Sequence, residues 1–180
     1  QLHQFACLGS LTCKIINNVN EPTIKLLNVG KEEVKGPQLI QSAAELIKHD
    51  VKLNYRGFIE ADQIFSNDAD VIVCDGLSGN IALKASEGVA KIWRKFHKDQ
   101  ISDNWLSKLG MHISRRSLRQ LNHRLNPATY NGAYLLGLKG IAIKSHGGAD
   151  SRAFYETLNI ARLAAEHDLP KALDPMLQNW

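Results

Sequence analysis

The sequence predicts an α/β fold built on a mainly parallel sheet, and three observations carry that prediction. Short apolar runs rich in β-branched residues alternate along the chain with amphipathic helical stretches. Three of the runs, at 23–29, 71–74 and 140–144, each lead through a polar, Gly-containing loop into a helix. A hydrophobic fraction of 44% over 180 residues supplies enough apolar surface for one good core, so the whole of 1–180 is read as one domain.

Gln1 to Ile16 has helical spacing, with Leu2, Phe5, Gly9, Cys13 and Ile16 on one face. Asn17 to Pro22 is a turn, and Thr23 to Val29 is a strand apolar enough for a parallel sheet. The Gly-bounded loop GKEEVKG follows, then a helix over Pro37 to His49 that places Leu39, Ala43, Leu46 and Ile47 on its apolar face. Val51 to Ile59 is a second strand and Glu60 to Phe65 a helical turn. Val71 to Cys74 is a third strand that runs through Gly76 and Gly79 directly into a helix. Near the end, Gly140 to Lys144 is a strand and Ser145 to Asp150 a Gly-rich turn. Ser151 to His167 is a helix burying Phe154, Leu158, Ala161 and Ala165.

The composition excludes several classes. No apolar run reaches membrane-spanning length, no signal peptide is evident, and the chain is expected to be soluble and cytosolic. Because it opens on Gln1 already in helical pattern, it is expected to start inside something larger. Cys7, Cys13 and Cys74 are odd in number and lack paired spacing, which fits reduced core thiols. The net charge of +4 is uneven: residues 91–124 hold nine Lys or Arg against Asp99 and Asp103, a local +7 that leaves −3 elsewhere. Such asymmetry points to an acidic partner or anionic surface, or to a solvated helix face; no nucleic acid is indicated.

In parallel sheets, ligands bind beyond the carboxyl ends of the strands, where loops leading into helices converge. Three loops qualify, namely Asn28–Gly36, Asp75–Asn80 and Lys144–Asp150. Their usable groups are Asn28, Glu32, Glu33 and Lys35; Asp75, Ser78, Asn80 and Lys84; and Lys144, Ser145, His146 and Asp150. Lysines supply charge, Asn and Ser supply hydrogen bonds, and backbone N–H groups near Gly30, Gly76, Gly79 and Gly147 complete an anion cradle. A bland alternative stands beside several of them. Asp75 is a residue type that commonly hydrogen-bonds its own turn, Lys84 suits a solvated helix surface, and a lone loop His is often structural. At a strand end between Lys144 and two glycines, however, His146 is also placed to donate to an anion or move a proton. There is no nucleotide fingerprint, no serine-hydrolase elbow and no set of His and carboxylates at metal spacing, so neither a metal nor another cofactor is expected.

The segment 101–125 divides near Gly110 into two amphipathic halves. Trp105, Leu106, Leu109 and Ile113 lie on one, and Leu118, Leu121 and Leu125 on the other, interleaved with Lys108, Arg115, Arg116, Arg119 and Arg124. It is a basic helical hairpin inserted in the domain. It suits an anionic bilayer, an acidic protein, or a packing or dimerisation arm.

These segments resemble a known family. KLLNVGKEEVKG at 25–36, ADVIVCDGLSGNIALKASEGVA at 69–90 and YNGAYLLGLKGIAIKSHGGAD at 130–150 are similar, in order, to the carboxyl-terminal half of the PlsX-type phosphate acyltransferases. The resemblance runs from about Leu2 to Ala165. It departs at Leu77 and Ser78, where Phe and Val are common, and at Tyr130–Gly132, where the family has a YGG-like triplet.

The resemblance implies a Rossmann-like three-layer α/β/α domain that is incomplete here, because an amino-terminal half with a further phosphate loop is absent. It implies transfer of a fatty acyl group from acyl carrier protein to inorganic phosphate, giving acyl phosphate for phospholipid synthesis. It further implies a homodimer, cytoplasmic and peripheral to the membrane, without metal or nucleotide, alongside a membrane glycerol-phosphate acyltransferase. Phosphate is itself the nucleophile in such a transfer. The protein must therefore neutralise it, position it and stabilise the oxyanion.

Carried onto this chain, the resemblance makes Lys144, His146 and Asn80 the catalytic candidates. Asn28, Gly30, Lys35, Asp75, Gly76, Gly79, Lys84, Ser145 and Gly147 are the substrate- and phosphate-binding candidates; Glu33, Gly36 and Glu87 fall in the same motifs. Trp105, Lys108, Arg115, Arg116 and Arg119 are the membrane or carrier contacts. The competing readings are an acetyl-type phosphotransacetylase using coenzyme A and an inactive membrane- or carrier-binding fragment.

Overall fold

The computed structural model describes residues 1–99, 113 and 131–178. The expected basic hairpin at 101–125, with Trp105, Lys108, Arg115, Arg116 and Arg119, lies outside the described residues apart from Ile113.

Three strands form a parallel sheet: β1 (Thr23–Leu27), β2 (Asn54–Ile59) and β3 (Val71–Val73), in the order β2-β1-β3. β1 lies at the centre. Helix α1 (Leu2–Ile16) precedes it, and α2 (Gln38–His49) makes the crossover from β1 to β2. A short 3₁₀ turn, Ala61–Gln63, lies where a helical turn was expected. The chain then passes to the other side of β1, enters β3 and continues into α3 (Gly76–Asp99). The direction of winding therefore reverses between β1 and β3, which opens a crevice beyond their carboxyl ends. This is a Rossmann-like α/β arrangement.

The sheet is sharply two-sided. Ile24 and Leu26 of β1 are fully buried, and with Phe58 and Val73 they meet Leu2 and Ala6 of α1 and Ile40, Ala43, Ala44 and Ile47 of α2. On the opposite face Lys25 and Ile72, in register with each other, are half-exposed, as are Thr23 and Leu27. The described chain thus covers one face well and the other partly, whereas parallel sheets bury both.

A bulge sharpens β2: three residues of β1, Ile24 to Leu26, span four of β2, Tyr55 to Phe58. Gly57 takes φ +82° at the bulge, a conformation costly to a residue with Cβ. The extra residue leaves both Phe58 and Ile59 buried instead of alternating. At the start of the sheet, Asp70 clips β1 to β3, accepting from the Thr23 backbone N–H at 2.7 Å and the Thr23 hydroxyl at 2.6 Å.

The last expected strand does not join this sheet. Ile143–Lys144 (β5) pairs antiparallel with β4 (Ala133–Tyr134) as a separate two-stranded ladder. Helix α4 (Ser151–Glu166) and a helix not expected from the sequence, α5 (Leu169–Leu177), complete the fold. Ala164, Leu169 and Leu173 form a second core with Leu8 of α1, against which Tyr134 and Leu136 pack. Helix α1 therefore bridges the two cores, its start beside α2 and its later turns against α5.

The expected helix faces are rotated in three places. On α2, Ala43 and Ile47 are buried, but Ile40 and Ala44 complete the face while Leu39 and Leu46 are exposed. On α4, Ala153, Thr157 and Ala164 face inward, leaving Phe154, Leu158 and Ala165 exposed and Ala161 half-buried. Phe5 of α1 is likewise exposed. Small residues face inward because the helices approach closely, and no periodicity argument that weights bulk alone recovers that choice.

Candidate functional site

The first loop is braced from within. Asn28 continues the β1 ladder, its N–H donating to the Ile59 carbonyl at 3.0 Å, and its side-chain Nδ2 donates to the Lys35 carbonyl at 2.9 Å. Gly36 passes over it with φ +92°, and a Cβ there would stand 1.9 Å from Asn28 Oδ1. A Cβ on buried Gly30 would meet the Lys35 side chain at 2.5 Å. Lys35 Nζ is held by Glu32 at 2.6 Å, and that carboxylate raises the lysine pKa. Gln41 of α2 ties the loop down by donating to the Val34 and Gly36 carbonyls. Asn28 thus braces the loop through Nδ2, while its Oδ1 is buried without a hydrogen-bond partner among the described residues, and Lys35 is an exposed cation paired within its own loop.

At the second loop the turn is shorter than expected. Only Cys74 and Asp75 separate β3 from α3, so Gly76, Gly79 and Asn80 already belong to the first turns of the helix. Asp75 is the cap: Oδ1 accepts from the backbone N–H groups of Leu77 and Ser78, both at 2.9 Å, and Oδ2 accepts from the Ser78 hydroxyl at 2.6 Å. The Ser78 bonds hold the Asp75 carboxyl below its ordinary pKa. The cap thus occupies two of the helix N-terminal donors that an anion would use and places a negative charge among them. Gly79 is required by packing, since its Cβ would stand 2.9 Å from Cys74 Sγ, whereas a Cβ on Gly76 meets nothing within 4 Å. The Cys74 thiol is half-buried and pushed up in pKa by that burial and by Asp75. It suits a packed thiol better than a nucleophile.

Further along α3, exposed Asn80 and Lys84 lie four residues apart on one helix face. Lys84 Nζ reaches Glu87 Oε2 at 3.1 Å, and the other oxygen of Glu87 stands 3.8 Å from His146 Nε2. Lys84, then His146 and Lys91, outweigh desolvation and hold Glu87 below the usual carboxylate range. One carboxylate therefore joins the second loop's helix to the third loop.

The third loop is set by a residue whose role the sequence did not reveal. Asn131 is buried, at 5% exposure, and every polar atom of its side chain is engaged. Nδ2 donates to the Ala153 carbonyl and Thr157 Oγ1, both at 2.8 Å, and to Ser145 Oγ at 2.9 Å, while Oδ1 accepts the His146 backbone N–H at 2.8 Å. Gly132 follows with φ +116°, where a Cβ would meet Ile160 at 2.9 Å. Asn131 thus ties the Ser145–His146 backbone to α4. His146 Nδ1 accepts from the Gly148 N–H at 3.1 Å, which leaves Nε2 to carry the proton of the neutral ring and to aim it toward Glu87. Lys144 is exposed on β5, two residues before His146, and Gly147 lies in the open turn that closes through the Ala149 N–H to the His146 carbonyl. Asp150 caps α4 by accepting the Ala153 N–H at 2.8 Å.

The structure therefore brings Lys84 and His146 together through Glu87; Asn80 lies one helical turn before Lys84, and Lys144 and Ser145, whose hydroxyl accepts from Asn131, immediately precede His146 in the chain. It assigns Asn28 and Asp75 to bracing. Glu87 was legible as the partner three residues beyond Lys84. Asn131 had no local signal, because its partners come from two distant segments.

Comparison with known proteins identifies the family. The family model described as "Fatty acid synthesis protein" matches residues 1–172. A phosphate acyltransferase of Shewanella pealeana is 43% identical over 178 residues, which cover 99% of this chain and 52% of that protein. Those of Nitrosococcus oceani and Halorhodospira halophila are each 41% identical, over 179 and 177 residues and again 52% of their length. The chain spans about half the length of the curated relatives it matches. With the ordered loops, the Rossmann-like sheet and this match in agreement, the chain belongs to the fatty acid synthesis protein family, the PlsX family, whose relatives here are named phosphate acyltransferases.

Proposed function

We propose that this chain is part of an enzyme that transfers a fatty acyl group from acyl carrier protein to inorganic phosphate. The observation that carries the reading is the Lys84–Glu87–His146 bridge, which sets a cation and an imidazole N–H side by side, next to Asn80 and the Ser145 loop. In the reaction a phosphate oxygen attacks the thioester carbonyl. The O–C bond forms, the carbonyl oxygen takes up negative charge, and collapse breaks the C–S bond to give acyl phosphate and the carrier thiolate, which takes a proton.

The protein's task is charge management, since the nucleophile brings its own electrons. Lys84 and Lys144 neutralise phosphate; the His146 Nε2–H and Asn80 donate hydrogen bonds to the oxyanion, and the leaving sulfur takes the proton that hydrogen phosphate gives up on becoming acyl phosphate. Glu87 orients both neighbours as an ionised carboxylate and takes no part in bond making or breaking. The basic segment with Trp105, Lys108, Arg115, Arg116 and Arg119 attracts the acidic carrier or anionic lipid, and the whole enzyme works as a homodimer at the cytoplasmic membrane surface.

The test is phosphate-dependent loss of acyl carrier thioester, assayed with the full-length protein and compared with coenzyme A thioesters. Acyl phosphate from the carrier substrate is expected. Absence of product sinks the proposal, and a preference for acetyl coenzyme A replaces it with the phosphotransacetylase reading.

A further inference from the structure

Far from the crevice, three side chains of different chemistry converge on one point. His3 and Cys7 stand four residues apart on one face of α1, and Asp50 is the residue that ends α2. His3 Nε2 lies 2.9 Å from Asp50 Oδ2, Cys7 Sγ lies 3.8 Å from the same oxygen, and the sulfur and imidazole nitrogen are 3.7 Å apart. All three ligand atoms fall within 4.8 Å of one another, the one such group of three among the described residues. Cys7 is buried, while His3 and Asp50 keep partial access to solvent.

We propose that His3, Cys7 and Asp50 form a binding site for a zinc-class divalent cation. The spacing supports it. Zn–S of about 2.3 Å and Zn–N or Zn–O of about 2.0–2.1 Å at tetrahedral angles require edges of roughly 3.6 Å to sulfur and roughly 3.4 Å between N and O. The two edges to Cys7 are already within about 0.2 Å of that, and the His3–Asp50 edge has to open by about 0.5 Å.

The protons fit as well. The thiol donates to Asp50 Oδ2, and the imidazole Nε2–H points at the same oxygen. A cation replaces both: the thiol releases its proton to solvent, and the imidazole moves its proton to Nδ1, so one proton leaves per ion bound. A thiolate, an imidazole and a carboxylate are the ligand set of zinc and not of magnesium or calcium. A water completes the fourth position.

Topology separates this site from the crevice. Helix α2 carries the chain from the carboxyl end of β1 to the amino end of β2, so Asp50 lies about 18 Å along it from the first loop. The ion would fasten α1 to α2 without entering the chemistry, and its role does not depend on the proposed acyl transfer.

The test is titration of the metal-stripped intact protein with Co²⁺ and, separately, Zn²⁺. One Co²⁺ per chain is expected, with a sulfur-to-cobalt charge-transfer band in the near-ultraviolet, and Zn²⁺ should raise Tm. Cys7→Ser should lose the band, and His3→Gln and Asp50→Asn should weaken binding while leaving the metal-free fold intact by circular dichroism. No band in the folded wild type overturns the site. So does a band that survives Cys7→Ser, or a Zn²⁺ stabilisation equal in wild type and all three variants.

Discussion

Asn131 Oδ1 accepts the backbone N–H of His146 at 2.8 Å, while its Nδ2 reaches α4, so one amide ties His146 to a helix it does not belong to. Its two ends are not interchangeable. Asn131→Asp keeps the acceptor for His146 but turns an oxygen toward the Ala153 carbonyl, and Asn131→Leu takes the side-chain partner from the His146 N–H and the Ser145 hydroxyl while Thr157 keeps its bond to the Ala153 carbonyl. Each is expected to cost about 2–3 kcal/mol, measured by urea unfolding. An unchanged midpoint would show that the network contributes nothing.

Glu87 is expected to act on phosphate handling more than on folding. Glu87→Gln keeps the shape and removes the charge that Lys84 and His146 share. Its stability should barely change, since the ion pairs are solvent-screened. In the full-length enzyme, KM for phosphate and kcat should both change, and the effect should disappear in a Lys84→Met background if the two act as one unit.

Gly36 and Gly76 should part company on substitution. At Gly36 the backbone is left-handed and the site of a Cβ is filled by Asn28 Oδ1, so Gly36→Ala should destabilise by at least about 1–2 kcal/mol and disorder the first loop. At Gly76, in the first turn of α3, the space is open among the described residues, and Gly76→Ala should be neutral or stabilising by up to about 1 kcal/mol. Thermal melts of both variants decide it. Loss of activity in Gly76→Ala without loss of stability would mark backbone approach to a ligand.

Acid should unfold the protein through a short set of carboxylates. Asp70, held low by the Thr23 hydroxyl and N–H, and Asp75, held low by Ser78, have depressed folded pKa values. Their stabilisation is therefore full above the ordinary carboxylate pKa of about 4 and is lost as pH falls through the folded values. Asp70→Asn should flatten that acid limb in a stability-against-pH series, and an unchanged limb would assign it elsewhere.

Tyr55 sets the alkaline limb. Burial, followed by Glu33 and Glu45, pushes its phenol up to about 12, and its hydroxyl is buried without a hydrogen-bond partner among the described residues. The raised pKa means that its contribution is complete below the ordinary tyrosine value of about 10 and is lost as pH climbs from there toward 12. Ultraviolet titration should find Tyr55 ionising late, with Tyr134 also raised by burial. Tyr55→Phe should remove the Tyr55 step and leave stability equal or higher, because an unpaired buried hydroxyl is a cost.

Strand and helix order was legible because period and turn residues are local signals. The three loops were found for the same reason, each marked by glycine after an apolar run. What stayed hidden is pairwise. The β5 ladder turned out antiparallel, α5 was not foreseen, and Leu39, Leu46, Phe154 and Leu158 proved exposed because neighbouring helices admit small residues at their contacts. Asp75 and Asn28 were counted as ligand groups by their place in the loops and by the family resemblance, and the structure adds the hydrogen bonds by which they also brace those turns.

By itself, then, the sequence determined an α/β chain with three anion-competent loops, a reversed charge balance along its length and membership of a family, all carried by residues close to one another in order. Only the tertiary structure decided that Glu87 joins Lys84 to His146, that Asn131 holds the histidine loop, and that His3 and Cys7 meet Asp50 across a separation of 47 residues. Hydrogen bonds and metal geometry act over about 3 Å of space. Distances of that kind are set by how helices close over a sheet, and no local pattern in the chain encodes them.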